Sequence, residues 1–292
     1  YHEKVDRVER SNIVFLANVP NQFSNYQTAN KATSYAFFVD GTYQVTDALS
    51  LTAGLRYTKD DKSTRNVATS NRFPTGGFPF DVRADTSAGA FTPRATVKYQ
   101  VAPNSMVYAT YSKGFKSGGF DGQPTSAAAA RFAIEPEKVA NYELGTKNAF
   151  FNRRVTLDLS VFHMSYTNLQ VQSLITVPGN TIPTTALYNA GKAEVNGVEV
   201  SGSVRVLPQT RIGFNYGYLD AQFKSDLIVS GSNVNGNRLE RAPKHTFGVT
   251  LNHSSNLSDD YALDLDGSYT FSGKYFSEIE NNQNSAVSSF GV

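Results

Sequence analysis

Four histidines, three close pairs of carboxylates and one glycine-rich stretch with lysines are the groups whose types could carry chemistry. His2, His163, His245 and His253 are scattered, and none stands at the i, i+4 or alternate-residue spacing of a metal site. Asp60 with Asp61, Asp259 with Asp260, and Glu278 with Glu280 offer the paired carboxylates of a glycosidase. They lie among Asn, Ser and Lys, which favours solvated loop charges over groups tuned for acid–base work. The stretch 114–122 is rich in glycine and flanked by Lys113 and Lys116, but it lacks P-loop spacing and a following helix. It reads as a loop base. No G-x-S-x-G elbow occurs, and cysteine is absent, which removes thiolates and disulfides. A net charge of +2 gives no broad basic surface for nucleic acid. Neither an enzyme nor a resident metal or cofactor is expected.

A second set of charges is regular. Arg56, Arg94, Lys98, Glu143, Lys147, Glu199, Arg205, Arg211, Asp264 and Asp266 all fall on the polar parity of alternating segments. Leu49, Leu51, Ala53, Leu55 and Tyr57, for example, alternate with Ser50, Thr52, Gly54 and Arg56. Similar alternation covers 94–101, 155–161, 198–206, 211–218, 246–251 and 263–271. One face is apolar and the other polar, the mark of strands with one wet side. Glu143 and Lys147 share a face but are about 13 Å apart along a strand, so neither can satisfy the other.

Short turns at 46–48, 102–105, 152–154, 207–210 and 254–260 alternate with long polar segments at 59–88, 113–138, 173–188 and 220–240. The spacing predicts ten strands in five hairpins: 35–45, 49–59, 89–101, 106–115, 139–150, 155–172, 190–206, 211–220, 242–253 and 261–272. Such lengths exceed the ordinary five or six residues of soluble strands and match the roughly 9–11 tilted residues that cross a bilayer. Mean hydropathy is −0.35, too low for spanning helices, but in a barrel only alternate residues meet lipid. The expected fold is all-β: an antiparallel up-and-down transmembrane β-barrel segment of about ten long strands. Tyr43, Tyr99 and Tyr261 fall near the short turns and Tyr57, Tyr216 and Tyr218 near the long loops, where aromatic girdles belong. A soluble β-propeller is the alternative suggested by a period of about 50 residues. A soluble β-rich glycosidase is a weaker one.

Three segments resemble the barrel of TonB-dependent outer-membrane receptors. They are Tyr111-Ser-Lys-Gly-Phe-Lys-Ser-Gly-Gly-Phe120, Glu135-Pro-Glu-Lys-Val-Ala-Asn-Tyr-Glu-Leu-Gly-Thr-Lys147 and Asn189-Ala-Gly-Lys-Ala-Glu-Val-Asn-Gly-Val-Glu199, in the family's order. The turn and strand from Thr46 to Tyr57 look like another hairpin of that family. The resemblance spans nearly the whole chain. It implies a receptor in the bacterial outer membrane for a scarce nutrient such as a ferric siderophore or cobalamin. It also implies contact with outer-membrane lipid and lipopolysaccharide, and, through other parts of the protein, with a plug domain and the TonB complex. In that family a plug precedes a barrel of about 22 strands. Neither a plug nor an energy-coupling box is recognisable here, and the end at Ser288-Ser-Phe-Gly-Val292 departs from the usual terminal strand. Residues 1–292 are therefore expected to be part of a barrel, open at both edges, with inward charges facing the plug or substrate. A passive porin-like channel is the competing reading. The long loops would lie outside the cell. Arg65, Arg72, Phe73, Phe78 and Phe80 in the first and Phe115, Lys116, Phe120, Arg131 and Phe132 in the second could hold an anionic, aromatic chelate.

Overall fold

Local alternation gives each strand two unlike faces, but a strand becomes stable only where a neighbour takes its hydrogen bonds. In a computed structural model, which describes residues 2–15, 22–70, 78–124, 126–175, 184–229, 232–282 and 286–291, nearly all such pairing falls in one antiparallel sheet. Its strands are β1 (His2–Phe15), β2 (Gln22–Gln44), β3 (Leu49–Ser70), β4 (Phe80–Ala102), β5 (Ser105–Lys116), β6 (Glu137–Phe150) and β7 (Val155–Thr167). They continue as β10 (Ala193–Leu207), β11 (Thr210–Phe223), β14 (His245–Asn256), β15 (Ala262–Phe276) and β16 (Ala286–Gly291). Each pairs with the next in chain order, apart from two inserted ribbons: β8 (Gln170–Ile175) with β9 (Thr184–Asn189), and β12 (Ile228–Val229) with β13 (Ser232–Asn233). One helix, α1 (Ala127–Arg131), completes the described elements. A continuous meander of this kind overturns the propeller alternative, whose blades are separate four-stranded sheets.

The sheet departs from the ten-strand expectation in four places. β1 and β16 are additional. β2 begins at Gln22, not near residue 35. The supposed loop 59–88 is mostly the upper halves of β3 and β4, paired from Lys59↔Gly89 to Ala68↔Phe80. The expected single strand 155–172 breaks at Asn168, whose φ is 54°, and the strand expected from 190 breaks at Gly191, with φ 86°. Left-handed backbone at these two points releases β8 and β9 from the main sheet.

Register carries the apolar parity from strand to strand. Tyr43, Leu51, Val97, Ala109, Leu144, Val161, Val198 and Tyr218 succeed one another across the sheet. On β3 this face is the more open one: Leu51 and Leu55 are 41% and 45% exposed, while Ser50 on the opposite face is 3% exposed. In water that order is inside out, and it costs roughly 25 cal/mol for every Å² of apolar surface left wet. Lipid removes the cost. On β3 the apolar run stops at Tyr57 and continues as Lys59, Asp61, Ser63 and Arg65, so the strand rises beyond the band. Tyr43, Tyr99 and Tyr261 stand exposed at the short-turn end of the band; at the other end Tyr216 is exposed while Tyr57 and Tyr218 are half-buried.

The opposite face carries the polar parity. Thr42 and Thr52 bond at 2.8 Å, and Thr96 and Thr110 at 3.0 Å. Arg94 donates to Asp40 at 2.6 Å across Gly54. Tyr108 donates to Glu143 at 2.6 Å, and Lys147 lies 3.9 Å from Asp158, so both members of the unpairable couple find cross-strand partners.

Candidate functional site at the long-loop end

Above the apolar band the polar-side wall of β2–β4 is covered by the chain's own connections. The 117–136 segment, between β5 and β6, is pinned at its base by Gly119 and Ile134, which exchange backbone hydrogen bonds of 3.1 and 2.9 Å. Gly118 must be glycine here, because a Cβ would stand 1.9 Å from the Ile134 carbonyl oxygen. Ser126 caps α1 by accepting from the Ala129 N–H at 3.0 Å. The helix packs Ala127 and Ala130 against Tyr26, Ala68, Phe78, Phe80 and Val82 of the wall.

Two strand residues fasten this segment from below. Lys62 donates through Nζ to Ser117 Oγ at 2.6 Å and to the Gly118 carbonyl at 2.7 Å. Burial pushes its ammonium below the usual lysine range; Asp60 opposes that shift and Lys116 adds to it. The Thr28 hydroxyl lies 2.7 Å from Asn66 Oδ1 and 2.8 Å from the Gly122 carbonyl, sharing one proton between two acceptors.

The motif residues meet in the same region. The Glu135 N–H donates to Asn189 Oδ1 at 2.8 Å, and Asn189 Nδ2 returns bonds of 2.9 Å to the carbonyls of Glu135 and Asn168. Gln170 donates from its backbone to Glu137 at 2.7 Å, and Lys192 donates from its backbone to Ser225 Oγ at 2.5 Å. The Glu135-Pro-Glu137 and Asn189-Ala-Gly-Lys192 segments are thus a clasp between loops. Beside it, Tyr188, Ala190, Phe223, Val229, Val234 and Ile279 form an apolar cluster within the loop layer.

Between the loop layer and β1–β2 lies a cavity of about 720 Å³, within the usual ligand-site range, lined by Glu9, Tyr26, Thr28, Asp121, Gln123 and Gln172 among others. Burial raises the Asp121 carboxyl above the usual range, against the pull of N–H donors from Gln123, Gly122 and Leu187. Glu9 pairs with Arg7. The lining can accept hydrogen bonds from hydroxyl, amide or ammonium groups of a guest.

The expected site residues do not all gather here. Arg65 is in β3 on the outward face, where it donates to Asp81 at 2.9 and 2.5 Å. That corrects its place in a loop: the pairing of β3 with β2 and β4 holds it in a strand. Phe78 and Phe80 pack under α1 with ring centroids 4.9 Å apart. Lys116 ends β5 opposite Glu137 on the loop-covered face, and Phe115, opposite Lys138, points the other way by parity. Phe120 lies in the covering segment, half-buried; Arg131 and Phe132 are exposed at the end of α1. Arg72 and Phe73 lie outside the described residues. Arg56, Arg94, Lys98, Glu143, Lys147, Glu199, Arg205 and Arg211 share the polar face through their strand registers. Sequence reasoning missed Thr28, Lys62, Asn66 and Glu9. The even-numbered run Thr58, Lys62, Thr64, Asn66 and Ala68 was the one available signal, and it has no apolar counter-face.

Comparison with known proteins follows the same lines. The family model described as "TonB dependent receptor-like, beta-barrel" matches residues 6–292. The pesticin receptor of Yersinia pestis is 26% identical over 229 residues, covering 78% of this chain and 31% of that protein. The metal-pseudopaline receptor CntO of Pseudomonas aeruginosa is 30% identical over 192 residues, covering 65% and 23%. The crystal structure of the ferric yersiniabactin uptake receptor FyuA from Yersinia pestis superposes with a TM-score of 0.76 at 22% identity, over 99% of this chain and 41% of that one. The chain spans about a quarter to a third of the length of these curated relatives.

Proposed function

The chain belongs to the TonB-dependent receptor β-barrel family, and on that premise we propose that it forms wall and mouth of a receptor for energy-coupled uptake of a scarce metal chelate. Barrels of this family reside in the bacterial outer membrane and are receptors and transporters, not enzymes. One observation carries the reading: strand registers gather the apolar parity on one face of the sheet from β2 to β15, while loops fold over the polar face at the long-loop end. A wall of that kind needs lipid outside and a guest or another domain inside. The relatives are named for a pesticin, a metal-pseudopaline and a ferric yersiniabactin. The metal-pseudopaline and ferric yersiniabactin names support a metal–siderophore complex as the class of ligand; cobalamin belongs to the same reading. Residues 1–292 are then one part of the barrel. A plug domain and the TonB complex engage other parts of the protein, and the polar-face charges contact plug or substrate. Lys116 and Arg131, with Arg72, are the cations proposed to attract an anionic chelate.

The test is uptake of radiolabelled iron by a strain that lacks the gene and is complemented with the complete receptor. Siderophores of hydroxamate, catecholate and phenolate type are offered with TonB present and absent. Uptake of one class that stops without TonB is expected. Uptake that persists without TonB would instead establish the passive channel. Replacing Arg72, Lys116 and Arg131 by Ala is expected to weaken chelate binding at least tenfold; unchanged affinity in an assembled barrel removes them from the site.

A further inference from the structure

The cavity under the loop layer differs in charge from the cations of the mouth. Three elements meet at it. The wall supplies Glu9, Tyr26 and Thr28, the 117–136 segment supplies Asp121 and Gln123, and β8 supplies Gln172, which pairs with Leu187 on β9. Glu9 stands opposite Thr28 on the polar face and is paired with Arg7. Arg10 also borders the cavity, but it lies opposite Gln27 on the outward parity and offers it backbone. The Thr28 proton is already shared between Asn66 Oδ1 and the Gly122 carbonyl, so its oxygen is left to accept. Asp121 is the carboxylate without a cation. Its Oδ1 accepts from the Gln123 N–H at 3.0 Å, and the N–H groups of Gly122 and Leu187 also act on it. Neither Lys nor Arg is among the groups that act on its charge, and burial opposes that charge.

We propose that Asp121 and this cavity bind a protonated amine carried by the transported chelate. The inference rests on the chelate reading and narrows the class of ligand within it. A hydroxyl or amide guest supplies a hydrogen bond but leaves a half-buried charge without a counter-charge. An ammonium supplies both, and it has three protons to place. Asp121 takes one; the Thr28 oxygen and the Gln172 amide oxygen are the acceptors for the others. The carboxylate is set in advance, because donors from two elements, the 117–136 segment and β9, hold it from different sides. About 720 Å³ admits an aminoalkyl arm with part of the chelate that bears it. Lys116 and Arg131, proposed for the anionic part, then address the other end of the same guest. The substrate class is a zwitterionic chelate.

The experiment uses the complete receptor purified in detergent and isothermal titration calorimetry. The probes are two pairs of ferric chelates: a linear trihydroxamate with a free terminal amine and its N-acetyl form, and a tris-catecholate with an aminoalkyl arm and its N-acetyl form. In at least one pair the amine is expected to bind about tenfold more tightly than the acetylated member. Asp121→Asn keeps an acceptor and removes the charge, so it should abolish that preference while leaving affinity for the acetylated member unchanged. Asp226→Asn, the same change at a loop carboxylate that accepts from Asn233 and Asn235, should leave the preference intact. Equal binding within both pairs, tighter binding of the acetylated members, no binding of any probe, or a preference that survives in the Asp121 variant overturns the proposal. Heat-modifiable mobility on gels reports assembly; if the Asp121 variant fails to assemble, the paired comparison on the unaltered receptor decides alone. A receptor that takes up iron through TonB but binds both members alike keeps the chelate reading and loses this one. A receptor that prefers the amines and takes up no iron keeps the amine site and loses the chelate reading.

Discussion

Asp121 is an ionisable group whose surroundings work against its charge, and its chemistry sets a pH dependence. Burial raises its carboxyl above the ordinary value of 3.8, although three backbone N–H groups favour the charged form. The folded chain therefore binds that proton more tightly than the unfolded one. Between 3.8 and the raised folded value the folded state holds more protons, so this contribution to stability falls as pH rises through that window and is flat above it. Asp121→Asn keeps an acceptor for the Gln123 N–H, now 3.0 Å away, and removes the titration. Thermal midpoints by circular dichroism should show the variant gaining on the parent as pH rises from about 3.5 to about 7. A gap that does not change with pH would mean that Asp121 titrates as it does in water. Lys62 belongs to the same scale. Its lowered range marks a cation held under loop backbone, and its bonds to Ser117 and Gly118 show what it is held for.

Elements turn these residue properties into faces. On β3, Leu55 lies on the lipid side and Thr52 on the polar side. A lipid-facing arginine near the bilayer midplane costs about 2–4 kcal/mol. Leu55→Arg should therefore reduce the heat-modifiable, assembled fraction of the receptor in outer membranes much more than Thr52→Arg; equal assembly of both would refute the facing. The clasp between loops gives a second expectation. Asn189 makes three hydrogen bonds that tie Glu135 and Asn168 together. Asn189→Ala should cost about 1–3 kcal/mol locally. Hydrogen exchange should then show lost protection at the Glu135 and Ala190 amides with none lost in β6 or β7. Exchange spread over the whole sheet would show that loop layer and wall open as one unit.

At the scale of the whole molecule the sheet's order runs from β1 to β16, and those two strands pair only with β2 and β15 among the described residues. Within hydrocarbon an open strand edge leaves several backbone groups unbonded, each at a cost of several kcal/mol. The 292-residue chain alone, refolded in detergent, is expected to associate edge to edge, visible as oligomers by analytical ultracentrifugation. A heat-modifiable monomer of closed form would show β1 meeting β16. In the complete receptor both edges are expected to be taken up.

Which side of the expected strands between residues 35 and 272 is apolar was legible in the residues themselves. Parity is a local property: Leu51, Ala53, Leu55 and Tyr57 must share a side whatever the partner strand is, and a bilayer tolerates no charge there. Tight turns such as 103–104 and 208–209 were legible for the same reason, since chemistry within a few residues sets them. The upper halves of β2, β3 and β4 were not. There the outward side is wet and the inward side lies under a loop, so alternation disappears, and the strands are defined by partners such as Lys31↔Ser63 and Ser63↔Asp85. A hydrogen-bonding neighbour in a sheet is not local in sequence. For that reason the tertiary structure alone decided that Arg65 faces outward beside Asp81, that Thr28 meets Gly122 across 94 residues, and that the mouth is roofed where the sequence had shown only polar chain.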